Sequence, residues 1–189
     1  MLKTSDLEIL ARISERHGMQ TFGKLNQKLV ALALHELGFL QVMEYEVQGT
    51  DVRCSGLESR LEWKFALEVK TTKGDRFDID EGNLLELQNS AQDGYRTAFC
   101  VLQIHNNYGW LIVKKSVAQI QTRAYRISEC LDRDLREIEL EKILNSKYSE
   151  LLENHETEIL KDGINHMRRL LESSGIKSVQ DPQFKIHRR

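Results

Sequence analysis

Glu68 and Lys70 stand two residues apart in Phe65–Thr72, a segment that otherwise reads as a buried strand. Strand side chains alternate between two faces. Phe65, Leu67, Val69 and Thr71 therefore share one face, and Ala66, Glu68, Lys70 and Thr72 share the other. A carboxylate and an ammonium thus lie side by side in what should be the middle of a sheet. Burying charge is costly unless the charge is paired or holds a metal. The plain reading is an ion pair on a polar sheet face; the chemical reading needs a second acid nearby. Asp51 supplies one, just after the turn-like Gly49-Thr50 and 17 residues before Glu68. That separation suits two neighbouring strands joined by a hairpin. Two carboxylates meeting at a sheet edge could hold Mg²⁺, with Mn²⁺ as substitute, since hard cations take oxygen ligands and leave water positions for phosphate oxygens. Such an ion polarises a phosphodiester and acidifies a bound water. Lys70 could orient that water or stabilise developing negative charge.

These side chains need elements to position them. Leu7, Ile9, Leu10 and Ile13 predict an amphipathic helix over residues 5–17, closed by Gly18. A second helix is expected from Phe22 to Leu37, stopped by Gly38, and strands over Leu40–Val47 and from Asp51. Residues 55–63 are polar and read as a hairpin connection. After the Phe65–Thr72 strand come a loop at Lys73–Asp75, a helix over Asn83–Ala91, a buried strand over Thr97–Ile104, a turn at Asn106–Gly109 and a short strand over Trp110–Val113. From Ser116 to Ser174 the pattern is helical throughout, with no convincing strand. This order predicts an α/β core in residues 1–115 and a helical extension with a basic tail in residues 116–189.

Length and composition narrow the classes. A chain of 189 residues with 40% hydrophobic and 30% charged content fits a soluble globular protein rather than a disordered one. The longest apolar run, Leu29–Leu34, is too short to span a bilayer. The start of the chain lacks a secretory pattern, and Cys54, Cys100 and Cys130 have no metal-type spacing, so reduced thiols and a cytoplasmic setting are expected. A net charge of −2 argues mildly against a large nucleic-acid footprint, although Lys64, Lys70, Lys73 and Arg76 cluster around the key strand. The six histidines show no ligand spacing; His105 alone, near a strand end, reads as a possible substrate contact.

Asp51 followed by Glu68-x-Lys70 on a strand resembles the core of the PD-(D/E)XK nucleases, the restriction-endonuclease-like superfamily. The stretch Gly23–Gly49 is similar to the opening of archaeal Holliday-junction resolvases and Mrr-like restriction enzymes, and the resemblance spans roughly residues 20–115. It implies a restriction-endonuclease-like mixed β-sheet flanked by helices, and Mg²⁺-dependent endonucleolytic cleavage of DNA. Asp51 and Glu68 would ligate the metal and Lys70 would assist the nucleophilic water. Related families carry a glutamate on the first core helix where this chain has Gln27, which could still ligate or hold a water through its carbonyl. Thr50 replaces the usual proline. Gln88, Lys73 and Thr71 are the candidate substrate contacts, with Tyr95 a weaker one. The long helices after residue 131 could form a homodimer interface. The competing class is a non-catalytic nucleic-acid-binding or protein-interaction module on the same fold. Glu36 lies about 180° from Gln27 on the same helix and is read as structural.

Overall fold

The computed structural model describes residues 2–46, 50–57, 59–103 and 109–179. The elements are α1 (Thr4–His17), α2 (Met19–Glu36), β1 (Phe39–Tyr45), β2 (Val52–Leu57), β3 (Arg60–Thr72), β4 (Arg76–Ile79), α3 (Glu81–Gln92), β5 (Arg96–Gln103), β6 (Gly109–Val113), β7 (Arg123–Arg126), α4 (Leu135–Asp162), α5 (Ile164–Ser173) and β8 (Lys177–Val179). Six strands form one mixed sheet in the order β6-β5-β3-β2-β1-β8, and β4 and β7 form a separate two-stranded ribbon. The chain therefore has the mixed α/β architecture, with helices flanking a sheet, that its element pattern predicts. Gly49, His105, Tyr108 and the basic tail fall outside the described residues.

The sheet is built around β3. Its neighbour β2 pairs with it antiparallel, in a register that sets Val52 against Leu67 and Cys54 against Phe65. On its other side β5 runs parallel, with Glu68 against Phe99 and Lys70 against Val101. A parallel pair needs a crossover, and α3 provides it. Asp80 caps α3: its side chain accepts from the Asn83 N–H, and the Asn83 side chain returns to the Asp80 backbone.

The two faces of the sheet bury different layers. On one, Phe65, Leu67, Val69, Cys100 and Leu102 join the apolar sides of α1, α2, α4 and α5 in a single cluster. On the other, Phe99, Val101 and Val113 pack with Leu87 of α3, Phe77 and Ile79 of β4, and Tyr125 of β7. The apolar stripe of α4 lies inside the molecule: Leu144, Tyr148, Leu151, Leu152 and Ile159 are all buried. Tyr148 donates to Asn26 of α2 and stacks edge-on against Trp110 of β6 at 5.3 Å.

Two local expectations change. Residues 55–63 are mostly strand, because β2 reaches Leu57 and β3 begins at Arg60. The polar tip of a two-stranded ladder is held by backbone bonds and needs no apolar side chains. A bulge between Ser55 and Leu57 there puts Gly56 at φ +72°, and an added Cβ would meet Leu40 at 3.3 Å. The region after Ser116 contains two strands. β7 buries only Tyr125 and exists by pairing with β4; β8 is three residues long and pairs parallel with β1. Strands this short carry no readable period. Among the described residues, no helix is long and apolar enough to cross a membrane.

Candidate functional site

Asp51 sits one residue before β2, so the β2–β3 register extended by one position sets it opposite Glu68. Residues directly opposite in an antiparallel pair project to the same face, with Cβ atoms about 5 Å apart. The structure agrees: Asp51 Oδ2 accepts the backbone N–H of Val69 at 2.8 Å. Thr50, which precedes Asp51, is fully buried and anchors it, its hydroxyl meeting Ser90 Oγ at 2.8 Å and the Glu86 carbonyl at 3.3 Å on α3. Thr50 thus gives this strand entry a side-chain tether.

Glu68 is 2% exposed. Its Oε1 receives Lys70 Nζ at 3.0 Å and Asn83 Nδ2 at 2.5 Å. Lys70 Nζ also donates to Asn83 Oδ1 at 2.8 Å. Lys70 is 22% exposed, so this group opens to solvent on its side. The carboxylate's other oxygen, Oε2, is buried and has no hydrogen-bond partner. Such atoms are rare, because an unpaired buried polar atom costs about 1–3 kcal/mol.

The electrostatics follow. Burial raises Asp51 well above the usual carboxylate range, and the nearby Glu68 charge pushes the same way, against the Val69 hydrogen bond and Lys70. Burial also raises Glu68, opposed by Lys70 and more weakly by the Asp51 backbone N–H. Both acids therefore sit where burial disfavours their charged forms, and among the described residues Lys70 is the one nearby cation. A divalent cation suits this donor set: two hard anionic groups project to one side, and one buried oxygen lacks a partner. Among the described residues no group of three or more His, Cys, Asp or Glu side chains surrounds one point. Water or substrate oxygens would complete any coordination.

Gln27 reaches the same place from the α2 side. Its Nε2 donates to Glu44 Oε1 at 2.7 Å, to the Tyr45 carbonyl at 2.8 Å and to the Asp51 carbonyl at 3.4 Å. It therefore contacts the backbone of Asp51, and only its Oε1 remains outside these bonds. The other sequence candidates stand apart from the Asp51–Glu68–Lys70 group. Thr71 lies on the opposite face of β3, close to Gly23 of α2. Lys73 is exposed in the loop after β3, and Gln88 is exposed on α3. Tyr95 stacks on Arg53, whose guanidinium lies 5.3 Å from its ring and 5.4 Å from that of Tyr45. Glu36 pairs with Lys147 of α4 at 3.7 Å, a contact within the helical layer.

Sequence reasoning passed over Asn83, which bridges Glu68 and Lys70. A polar residue three places after Asp80 reads as a helix cap, which it also is. It also passed over Lys28, whose buried ammonium holds Glu44 at 3.1 Å and Glu46 at 2.5 Å beside Gln27. The signal was a lysine within an otherwise apolar helix face.

No family model matches the chain, and no curated protein does. Among solved structures, Hjc of Archaeoglobus fulgidus, a Holliday junction resolvase from an archaeal hyperthermophile, aligns at 12% identity. The alignment covers 56% of this chain and 84% of that one, with a TM-score of 0.42.

Proposed function

We propose that this chain is a metal-dependent endonuclease that hydrolyses phosphodiester bonds in DNA, using Asp51, Glu68 and Lys70. The observation that carries the reading is the pair of buried, incompletely neutralised carboxylates, with Glu68 Oε2 left without a partner beside a partly exposed lysine. An ion pair kept for structure would satisfy that oxygen.

The roles follow from the contacts. Asp51 and Glu68 would hold Mg²⁺ or Mn²⁺ through Glu68 Oε2 and the Asp51 oxygen not bonded to Val69. The bound ion supplies Lewis-acid polarisation of the phosphate and a water of lowered pKa. An ammonium has three donors; Lys70 places two on Glu68 and Asn83 and keeps the third for the attacking water or a phosphate oxygen. Asn83 acts as a positioning residue. By filling Glu68 Oε1 it turns Oε2 toward the ligand role, and by accepting from Lys70 it fixes the ammonium. Gln27 steadies the Asp51 backbone from the α2 side. Water would attack phosphorus as the bond to the leaving oxygen breaks; the water's proton passes to solvent, and the leaving oxygen takes a proton from solvent.

The test is cleavage of duplex and branched DNA with Mg²⁺ or Mn²⁺, beside calorimetric titration of Mn²⁺. Wild type should cut, and Glu68→Gln and Lys70→Ala should each lose about 10²-fold or more in rate, the size of a removed electrostatic contact at a reacting centre. Glu68→Gln should also weaken Mn²⁺ binding, whereas Lys70→Ala should not. Binding of DNA with neither turnover nor Mn²⁺ uptake would replace this reading with the non-catalytic module.

A further inference from the structure

At the far end of α3 from Asn83 lies a cleft of about 390 Å³, lined by Lys64, Arg96, Lys114 and Arg136 together with Trp63 and Tyr95. We infer that this cleft is a second phosphate subsite, which takes a backbone phosphodiester of the same nucleic-acid strand that is cut at Glu68. The inference rests on the nuclease reading and adds where the strand lies.

The argument begins with charge. Arg96 is already committed, since it pairs with Asp134 at 2.6 Å and with the buried Glu137. Lys64, Lys114 and Arg136 make no side-chain hydrogen bond or ion pair with any described residue. One carboxylate, Glu62, also lines the cleft. Three uncommitted cations thus face a single acid, in a chain whose net charge is −2. Cations gathered in a concavity focus positive potential, which on a convex surface would be dispersed. The last carbonyls of α3, which would repel an anion, are taken by backbone N–H groups: Asn89 by Asp93, Ala91 by Gly94 and Ser90 by Tyr95.

Position then points to nucleic acid. Lys64 and Glu68 lie on the same face of β3, four residues apart, a span of about 13 Å at ~3.3 Å per residue. That is about four nucleotides at ~3.4 Å rise along one strand. Between them on the same face stands Arg53, on β2 opposite Ala66 and two residues from Asp51. Its Nε is buried with no hydrogen-bond partner among the described residues, and its ion pair with Asp93 is long at 3.4 Å. Tyr95 contacts Arg53 and also lines the cleft, so Arg53 and Tyr95 link the face that bears the carboxylates to the cleft.

The experiment measures the affinity of a labelled DNA duplex against salt concentration, without added metal. It compares wild type, Lys64→Ala/Lys114→Ala/Arg136→Ala, and a charge-matched control, Arg16→Ala/Lys142→Ala/Lys161→Ala, whose sites are exposed on α1 and α4. Each lost phosphate contact lowers the slope of log K against log salt by about 1. The cleft variant should lose about 1 from the slope, the one phosphate contact of the subsite, while its Mn²⁺ titration stays at the wild-type value. The control should keep the wild-type slope. Equal slopes in wild type and the cleft variant, with cleavage intact, would overturn the subsite and leave the nuclease reading standing. No DNA binding by wild type would overturn both. If the cleft variant loses inorganic phosphate binding while its DNA slope is unchanged, the ligand is a small phosphate and the nucleic-acid assignment fails.

Discussion

Two buried ionic clusters lie within a few residues of each other on opposite faces of the sheet, and they are finished to different degrees. On the α2 side, Lys28 holds Glu44 and Glu46, Arg168 of α5 adds a bidentate grip on Glu46 at 3.0 and 3.1 Å, and Ser178 of β8 donates to Glu44 at 2.7 Å. Two acids meet two bases, and both Glu44 oxygens have donors. On the α3 side, Lys70 is the one base beside Asp51 and Glu68, and Glu68 Oε2 has no hydrogen-bond partner among the described residues. Folding alone would select the first arrangement. The second gives up stability and is readily explained if a ligand completes it, as perturbed groups at functional sites often are. Satisfaction of hydrogen bonds therefore separates the structural cluster from the one proposed to be reactive where burial does not, since Lys28, Glu44 and Glu68 are all 2% exposed or less.

The sharpest way to break this comparison is to damage the finished cluster. Lys28→Met removes one partner of a buried pair and leaves Glu44 charged in the core. The expected loss is about 3–5 kcal/mol, read as a lower urea midpoint. Lys28→Met/Glu44→Gln should recover most of it, because no unpaired charge remains. A loss below about 1 kcal/mol for the single variant would show that the cluster is solvated in solution and that the contrast does not hold.

The cluster proposed to be reactive should respond with the opposite sign. Asp51→Asn keeps an acceptor for the Val69 N–H and removes a charge that burial and Glu68 disfavour. Near neutral pH it should stabilise the metal-free protein by about 1–3 kcal/mol while abolishing cleavage. The pH dependence follows from the direction of the shift. The folded pKa lies above the unfolded one, so the stabilising contribution is complete below the ordinary carboxylate range near 4 and is lost as pH rises through the folded value. The gap between variant and wild type should widen with pH. Added Mn²⁺ should close it by stabilising wild type alone.

The same contrast explains what could be seen in the sequence. The Phe65–Thr72 strand was legible because an apolar run interrupted by Glu68 and Lys70 has few other readings. The grouping of Asp51 with that pair follows from one hairpin and its register, a short-range fact. The Lys28–Glu44–Arg168–Ser178 cluster joins positions from four elements, with Arg168 124 residues from Glu44, and no local period announces it. Asn83 was hidden for another reason: a capping residue and a bridging residue look alike in one dimension. β8 was unreadable because three residues cannot establish alternation, and its place is set by Ser178 meeting Glu44. The basic cleft combines β3, β5, α3, α4 and Lys114 just after β6, so its charges are scattered through a chain of mildly acidic total.

The smallest expected effect lies at the rim of the finished cluster. Burial alone would raise Glu46, but the hydrogen bonds from Arg168 and Lys28 outweigh it and lower the group to about 2. Its stabilising contribution is therefore present above the ordinary carboxylate range and is lost as pH falls toward about 2. Arg168→Ala removes the more exposed of the two cations, 42% exposed, and leaves Lys28 in place. The loss near neutral pH should stay below about 1 kcal/mol, as for exposed pairs, and the acid-unfolding midpoint should move to higher pH. Lys28 alone would then have to hold both Glu44 and Glu46, so added salt should affect the variant less than wild type, because the pair that screening weakens is already gone. An acid midpoint unchanged by Arg168→Ala would mean that Lys28 by itself sets the Glu46 titration, and that the finished cluster ends at α2 and β1 without α5.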